Sequence, residues 1–141
     1  MTVYLDTSSL VKLYVDEPDA DDVQRIVGEA DVVATSVLAY PEARAAFARR
    51  RREKLMTSAE SRAAIRQLDA DWPRFVVILL GDELSHGVVD RGPRGADAHG
   101  IRGCDAVHLA SFEDLLSRCD DGAVQFSCAD VRLSRAARAL G

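Results

Sequence analysis

Four acidic residues, widely separated along a chain of 141 residues, stand where predicted strands give way to predicted helices. Asp6 ends the apolar run Thr2–Leu5, and Asp130 follows a later run just before a helical segment. Asp105 lies in the first turn of another predicted helix, and Glu42 follows the second strand by a short helical stretch. Because sites in parallel sheets form beyond the carboxyl ends of the strands, we expect these side chains to converge there.

Carboxylates gathered in this way repel one another and raise one another's pKa unless positive charge lies among them. Oxygen ligands with few histidines or thiolates favour hard cations such as Mg²⁺ or Mn²⁺. Mg²⁺ held by a few carboxylates keeps several waters, and one of these can become the nucleophile that attacks a phosphodiester. The four acids together therefore predict a divalent-cation site that hydrolyses phosphodiester bonds.

Each acid taken alone also has a purely structural interpretation. Asp6 precedes Thr7–Ser9, and Asp, Ser and Thr all favour the residue position that caps a helix. Asp105 can interact with the helix dipole, which contributes under about 1 kcal/mol, although its neighbours are small and apolar. The shared location at strand-to-helix junctions is what favours chemistry over capping.

Alternating strands and helices are predicted to position these residues. Runs rich in β-branched or aromatic residues and bounded by Gly, Asp or Pro predict strands, at 2–5, 31–35, 74–80 and 123–126. Apolar residues at three- and four-residue spacing predict helices between them, at 18–30, 36–54, 57–72, 104–116 and 131–140. This order predicts an α/β fold, a three-layer α/β/α sandwich with a central, mainly parallel sheet of four to five strands.

Two segments complicate this pattern. Pro41 precedes Glu42, so the predicted helix either begins near Tyr40 or bends there, and this decides where the Glu42 carboxylate points. Residues 81–103 are rich in glycine, and Gly92–Pro93 would interrupt any helix. We expect a short helix near 82–90 followed by a mobile loop.

Length and composition limit the class of protein. A chain of 141 residues and 15.3 kDa is expected to form a single domain over residues 1–141. No apolar run approaches the roughly 18–20 residues of a membrane span, so a cytoplasmic protein without membrane contact is expected. The net charge of −5 argues against a non-specific nucleic-acid coat protein. It does not exclude a nuclease, because a bound divalent cation supplies positive charge.

The chain resembles the PIN-domain ribonucleases, and within them the VapC-type toxins of prokaryotic toxin–antitoxin pairs. The resemblance runs from residue 3 to the C-terminus and rests on four parts of the sequence: VYLDTSSLVKLY at 3–14, Glu42, RGCDAVHLA at 102–110, and Ser127 with DVRL at 130–133. It implies an endoribonuclease that depends on Mg²⁺ or Mn²⁺. The residues that match the family's acidic quartet are Asp6, Glu42, Asp105 and Asp130.

The resemblance also implies individual roles. Asp6 and Asp105 look like the main metal ligands, while Glu42 and Asp130, itself a candidate ligand, would hold a second ion or orient water. Thr7 and Ser127 match supporting hydroxyl positions. The implied partners are an RNA substrate, a second copy of the chain, and a VapB-type antitoxin whose C-terminal arm enters the groove.

Several basic residues allow more than one interpretation. Arg102, three residues before Asp105, is a candidate contact for an RNA phosphate. The arginine run at 49–52 is more typical of a solvated helix face than of a surface that binds RNA phosphates. His108 shares the helical face of Asp105, but a packed or capping histidine is expected there rather than a proton shuttle.

Three other classes of protein were compared with these residues. A response-regulator receiver requires an acidic pair after its first strand and a lysine after its last, whereas Asp6 stands alone and no lysine follows Lys54. A haloacid-dehalogenase-like phosphatase requires a second Asp two residues after the first, where this chain has Ser8. A PIN-like binding module without activity is the third alternative, although keeping four mutually repelling acids disfavours it.

Overall fold

A parallel sheet forms the centre of the protein, which we describe from a computed structural model over residues 1–82, 84–86, 88, 102–119 and 124–140. Its strands are β1 (Thr2–Leu5), β2 (Val32–Ser36), β3 (Val76–Ile78) and β4 (Val124–Ser127). All pairings are parallel, in the order β3-β2-β1-β4, so β1 lies between β2 and β4. The parallel sheet expected from the sequence is confirmed.

Helices connect the strands and cover the sheet. They are α1 (Thr7–Lys12), α2 (Ala20–Glu29), α3 (Ala39–Arg52), α4 (Ser58–Asp71), α5 (Gly103–Arg118) and α6 (Val131–Arg138). Residues 82, 84–86 and 88 are also helical, in agreement with the short helix expected there, whereas the rest of the predicted glycine-rich loop, 89–101, lies outside the described residues. No helix in the described part of the chain is long and apolar enough to cross a membrane.

The two faces of the sheet carry separate apolar cores, because successive side chains of a strand point to opposite faces. Val3 and Leu5 of β1 pack against α1, α2, α3 and α4, with Phe47 at the centre of this cluster. Tyr4, between them in the sequence, points to the other face and packs against α5 and α6. The predicted three-layer α/β/α arrangement is therefore confirmed.

The third strand is shorter than predicted. The sequence favours a strand over 74–80, but Trp72–Arg74 form a 3₁₀ turn and the strand is confined to Val76–Ile78. Pro73, within that turn, has no backbone N–H to donate to a sheet, which favours the turn over a longer strand.

The third helix begins later than predicted, and this settles the position of Pro41. Ser36 is the last residue of β2, so α3 begins at Ala39 instead of at 36. Pro41 is then the third residue of the helix, where its missing N–H would have had no partner within the helix. The helix therefore needs no kink, and Glu42 keeps its place in the first turn.

Helix α4 begins with a capping box that offers a local test of stability. The Thr57 hydroxyl accepts from the Glu60 backbone N–H at 3.1 Å, and the Glu60 carboxylate accepts from the Thr57 N–H at 2.7 Å. We expect Thr57→Ala to lower the free energy of unfolding by about 1 kcal/mol, measured by urea denaturation. Ser58→Ala, one residue further on and outside the box, is the control, and an equal loss in both variants would contradict this role for Thr57.

Candidate active site

Asp6 lies directly after β1 and forms the N-cap of α1. It is buried, with 5% of its surface exposed. Its carboxylate accepts from the Ser9 backbone N–H at 2.9 Å and from the Ser8 hydroxyl at 2.8 and 2.9 Å. Among the described residues, no basic side chain pairs with it. The capping interpretation of Asp6 is confirmed, and its carboxylate is also buried without a basic partner in the described part of the chain.

Glu42 is fixed by side chains from two other elements. The Thr7 hydroxyl donates to Oε2, and His108 Nε2 lies 3.2 Å from the same oxygen. Burial alone would raise the pKa of Glu42, but hydrogen bonds from His108, Thr7 and Cys104 lower this pKa to about 2. Glu42 is therefore an ionised, oriented carboxylate at neutral pH, linked through Thr7 to the loop that carries Asp6.

Asp105 and Asp130 each contact an arginine close in sequence. Asp105 Oδ2 accepts from the backbone N–H of Arg102 at 3.1 Å and from its Nε at 3.5 Å. Asp130 caps α6 by accepting from the Arg132 N–H at 2.8 Å, and its other oxygen lies 3.4 Å from the Arg132 guanidinium. Both arginine side chains are mostly exposed, and such exposed ion pairs contribute only about 0–1 kcal/mol. A divalent cation could therefore replace either arginine at small cost.

The thiol of Cys128 lies between Asp6 and Asp130. Burial raises the pKa of the Cys128 thiol, and the charge of Asp6 and a hydrogen bond to it raise this pKa further. The same sulfur accepts from the Asp130 backbone N–H at 3.1 Å. Hydrogen bonds to Arg132 hold the pKa of Asp130 below its usual range.

A second cysteine, Cys104, lies next to both Glu42 and Asp105. A hydrogen bond to Glu42 raises the pKa of Cys104, and burial and the charges of Glu42 and Asp105 act in the same direction. With Thr7 between Glu42 and the Asp6 loop, the acids form a continuous series along one edge of the sheet. The structure thus brings the predicted residues to one edge, in the order Asp105, Glu42, Asp6, Asp130.

Ser127 supports Asp6 through the backbone and through a neighbouring serine. Its hydroxyl donates to Ser9 Oγ at 2.9 Å, and its carbonyl accepts from the Asp6 N–H at 3.1 Å. The Ala129 N–H donates to Ser8 Oγ at 2.9 Å. These bonds attach the Asp6 loop to the end of β4 and fix the buried carboxylate in place.

Helix N-termini surround the series of acids. Each of the four lies at an N-cap or in the first turn of a helix, and these helices are α1, α3, α5 and α6. The N-terminal end of a helix carries partial positive charge, which stabilises anions within about one turn. This arrangement offsets part of the repulsion among the carboxylates.

The donor atoms at this edge fit a hard cation. Across the described ranges, no three Asp, Glu, His or Cys side chains lie close enough together to form a closed ligand set. Mg²⁺ does not require one, because it keeps several waters and is usually held by one or two carboxylates. The buried Asp6 carboxylate accepts hydrogen bonds from Ser8, Ser9 and Cys128, and its oxygens are the ligand type that Mg²⁺ and Mn²⁺ prefer.

A cavity of about 680 Å³ lies elsewhere, between α2, α3, α4 and residues 13–16, which follow α1. None of the four acids lines it; its walls include Tyr14 and Arg50. The cavity therefore lies away from the candidate active site, which is defined by the buried Asp6 carboxylate at the edge of the sheet.

Two residues at the site were not predicted as functional from the sequence. The expectation of a packed histidine is correct for the burial of His108, but its ring also contacts Glu42. Tyr4 contacts His108, but in the sequence it has only the pattern of an ordinary strand residue. The one available signal was the three-residue spacing between Asp105 and His108, which places both on the same side of a helix.

The family of this chain follows from comparison with known proteins. Residues 3–115 match the PIN domain, and the chain therefore belongs to the PIN-domain family. Its relatives within that family include Ribonuclease VapC45 and Ribonuclease VapC49, from strains CDC 1551 / Oshkosh and H37Rv of Mycobacterium tuberculosis. Each is 37% identical over 139 residues, which cover 99% of this chain and 91% of the relative. The predicted VapC-type family is confirmed.

Solved structures have the same fold. FitAcB from Neisseria gonorrhoeae superposes with a TM-score of 0.70 at 16% identity, covering 96% of this chain and 93% of that one. VapC20 from Mycobacterium tuberculosis, described as a sarcin-ricin loop cleaving toxin, superposes with a TM-score of 0.69 at 18% identity, covering 95% and 94%. At such low identity these likenesses support the α/β fold alone.

Proposed function

We propose that this chain is a divalent-cation-dependent endoribonuclease that acts as the toxin of a toxin–antitoxin pair. The observation that carries the proposal is Asp6, a buried carboxylate with no basic partner in the described part of the chain. It lies at the strand edge where Glu42, Asp105 and Asp130 are also found. The relatives named VapC ribonucleases indicate the class of reaction.

The four acids are proposed to have different roles in catalysis. Asp6 and Asp105 hold the cation, and Glu42 and Asp130 hold a second ion or orient the attacking water. Bound Mg²⁺ or Mn²⁺ supplies positive charge at the phosphodiester and lowers the pKa of a water. Glu42, held as a carboxylate by Thr7 and His108, can accept a hydrogen bond from the attacking water. Cleavage is proposed to leave 5′-phosphate and 3′-hydroxyl ends.

Arg102 is proposed to contact the RNA backbone. Its guanidinium is largely exposed and lies 3.5 Å from Asp105. If Asp105 held a cation, its ion pair with Arg102 would weaken, and the guanidinium could then contact a phosphate oxygen. Arginine suits that role because its planar donors match phosphate geometry.

Protein partners are part of the same proposal. A VapB-type antitoxin is proposed to insert a C-terminal arm into the acidic groove and place a basic side chain among the carboxylates. The arm would then neutralise the charge that otherwise attracts the cation. The active toxin is proposed to be a homodimer in the cytoplasm.

Cleavage of RNA by purified protein tests the enzymatic part. We expect discrete products from total RNA with Mg²⁺ or Mn²⁺, none with EDTA, and none from Asp105→Asn, which removes a ligand charge. Asp114→Asn is the matched control, because Asp114 lies on the same helix and also pairs with a neighbouring arginine, Arg118. The control is expected to cleave like the wild type.

Two results would contradict the proposal. Equal cleavage with EDTA and by Asp105→Asn would indicate a contaminating or cation-independent nuclease. Absence of cleavage by the folded wild type with every cation and RNA tested would instead identify a PIN-like binding module without activity.

A further inference from the structure

His108 forms the centre of a buried chain of hydrogen bonds that ends on Glu42. The residue lies on α5 with 2% of its surface exposed. Its Nδ1 is 3.0 Å from the Tyr4 hydroxyl, and its Nε2 is 2.9 Å from Thr7 Oγ1 and 3.2 Å from Glu42 Oε2. Both ring nitrogens therefore have fixed partners, and the imidazole joins the sheet interior to the candidate active site.

The partners of the ring decide which nitrogen carries the proton. Burial raises the pKa of Tyr4, so its hydroxyl keeps its proton and can donate to Nδ1. A proton on Nδ1 alone would turn the lone pair of Nε2 toward the Glu42 carboxylate, which is repulsive at 3.2 Å. With the proton on Nε2, Tyr4 donates to Nδ1 and the ring donates toward Glu42, so every donor faces an acceptor.

Two hydrogen-bond donors then contact the same oxygen of Glu42. Thr7 and His108 both contact Oε2, and Cys104 donates a further hydrogen bond to the same carboxylate. The torsional freedom of a glutamate side chain would otherwise let the carboxylate turn away from the edge. Partners that fix a ligand's orientation in this way commonly change metal affinity or activity by about 10–100-fold when removed.

We propose that His108, oriented by Tyr4, is a positioning residue that holds the Glu42 carboxylate in the orientation in which it faces the cation or its water. This inference rests on the proposed function for the role of Glu42. The contacts of His108 with Tyr4, Thr7 and Glu42 hold the carboxylate in place before any cation binds. His108 does not itself touch the substrate in this mechanism.

The tautomer is tested first, on the cation-free wild type. Nitrogen-15 NMR distinguishes imidazole protonated on Nε2 from imidazole protonated on Nδ1, and loss of the signal in His108→Gln assigns it. We expect His108 to have Nδ1 unprotonated and to carry its proton on Nε2. The Tyr4→Phe variant keeps the aromatic packing and removes the hydroxyl. We expect it to keep the proton on Nε2, because Glu42 still disfavours the other tautomer, and to shift the Nδ1 resonance, because Nδ1 loses its hydrogen bond. A ring that carries a proton on Nδ1 in the wild type, whether neutral or doubly protonated, would overturn the proposal.

Two substitutions at His108 separate positioning from packing. The amide nitrogen of Gln reaches about as far as Nε2 and can donate to Glu42, whereas the shorter Asn can only replace Nδ1. We expect His108→Asn to bind Mn²⁺ about 10–100-fold more weakly than the wild type by calorimetry, with His108→Gln close to the wild type. Equal affinities in all three proteins, or an equal loss in both variants, would overturn the proposal.

Failure of the proposed function has a different signature. The folded wild type would then bind no Mn²⁺, whatever the tautomer of His108. In that case the cation-free NMR spectrum alone decides whether His108 donates to Glu42. An Nδ1 resonance that is the same in the wild type and in Tyr4→Phe would overturn the part assigned to Tyr4.

Discussion

Asp6→Asn is expected to abolish cation binding and RNA cleavage while leaving the protein folded. Asn caps helices as well as Asp does, so the bond from the Ser9 N–H, now 2.9 Å long, should persist. The substitution removes only the negative charge on which the cation depends. Loss of several kcal/mol of charge stabilisation corresponds to a fall in cleavage rate of about 10³-fold or more. The rate is measured on a defined RNA at saturating Mn²⁺.

Thermal unfolding separates this effect from a loss of structure. A ligand that binds only the folded state stabilises it by an amount that grows with its concentration, so Mn²⁺ should raise the wild-type midpoint and leave that of Asp6→Asn unchanged. Without cations the variant should be at least as stable as the wild type, because Asp6 is a buried charge without a basic partner among the described residues. A variant that cleaves at the wild-type rate, or whose midpoint still rises with Mn²⁺, would contradict the role of Asp6.

Local signals in the sequence were sufficient for the fold and for the location of the acids. The β-branched runs before Asp6 and Asp130 predict strands, and small polar or acidic residues after them predict helix caps; both features depend on neighbours in the chain. The same kind of evidence was insufficient at Trp72–Arg74, where a turn takes the place predicted for the start of a strand. It was also insufficient at Pro41, because the first residue of the helix decides whether a proline is tolerated.

Contacts between distant residues could not be predicted from one sequence. Tyr4 and His108 are 104 positions apart, and Thr7 and Glu42 are 35 apart. Each becomes a hydrogen-bonded pair only because β1, α1, α3 and α5 meet at the same edge. The pairing of Asp105 with Arg102 depends in turn on side-chain rotamers at a helix start. The sequence can therefore indicate which residue types gather at the edge, but not which of them hold one another in place.

The second large effect is expected in the core that supports Glu42. Phe47 lies on α3, five residues after Glu42, and is fully buried, with 0% of its surface exposed. Its ring packs edge-on against Tyr14 with centroids 6.3 Å apart. Replacing a buried Phe by Ala removes the transfer free energy of the ring and leaves a cavity, so Phe47→Ala should cost about 3–5 kcal/mol of unfolding free energy. The shift of the urea midpoint measures this loss.

Leu55→Ala is the control for Phe47→Ala, because it also truncates a large apolar side chain but one that is 66% exposed. It should change the unfolding free energy by no more than about 0.5 kcal/mol. The substitution keeps all four acids, so the fraction of Phe47→Ala that stays folded at low temperature should still bind Mn²⁺. Because the cluster around Phe47 holds α3 against β1, a loss below about 1 kcal/mol would mean that other contacts anchor the helix that carries Glu42.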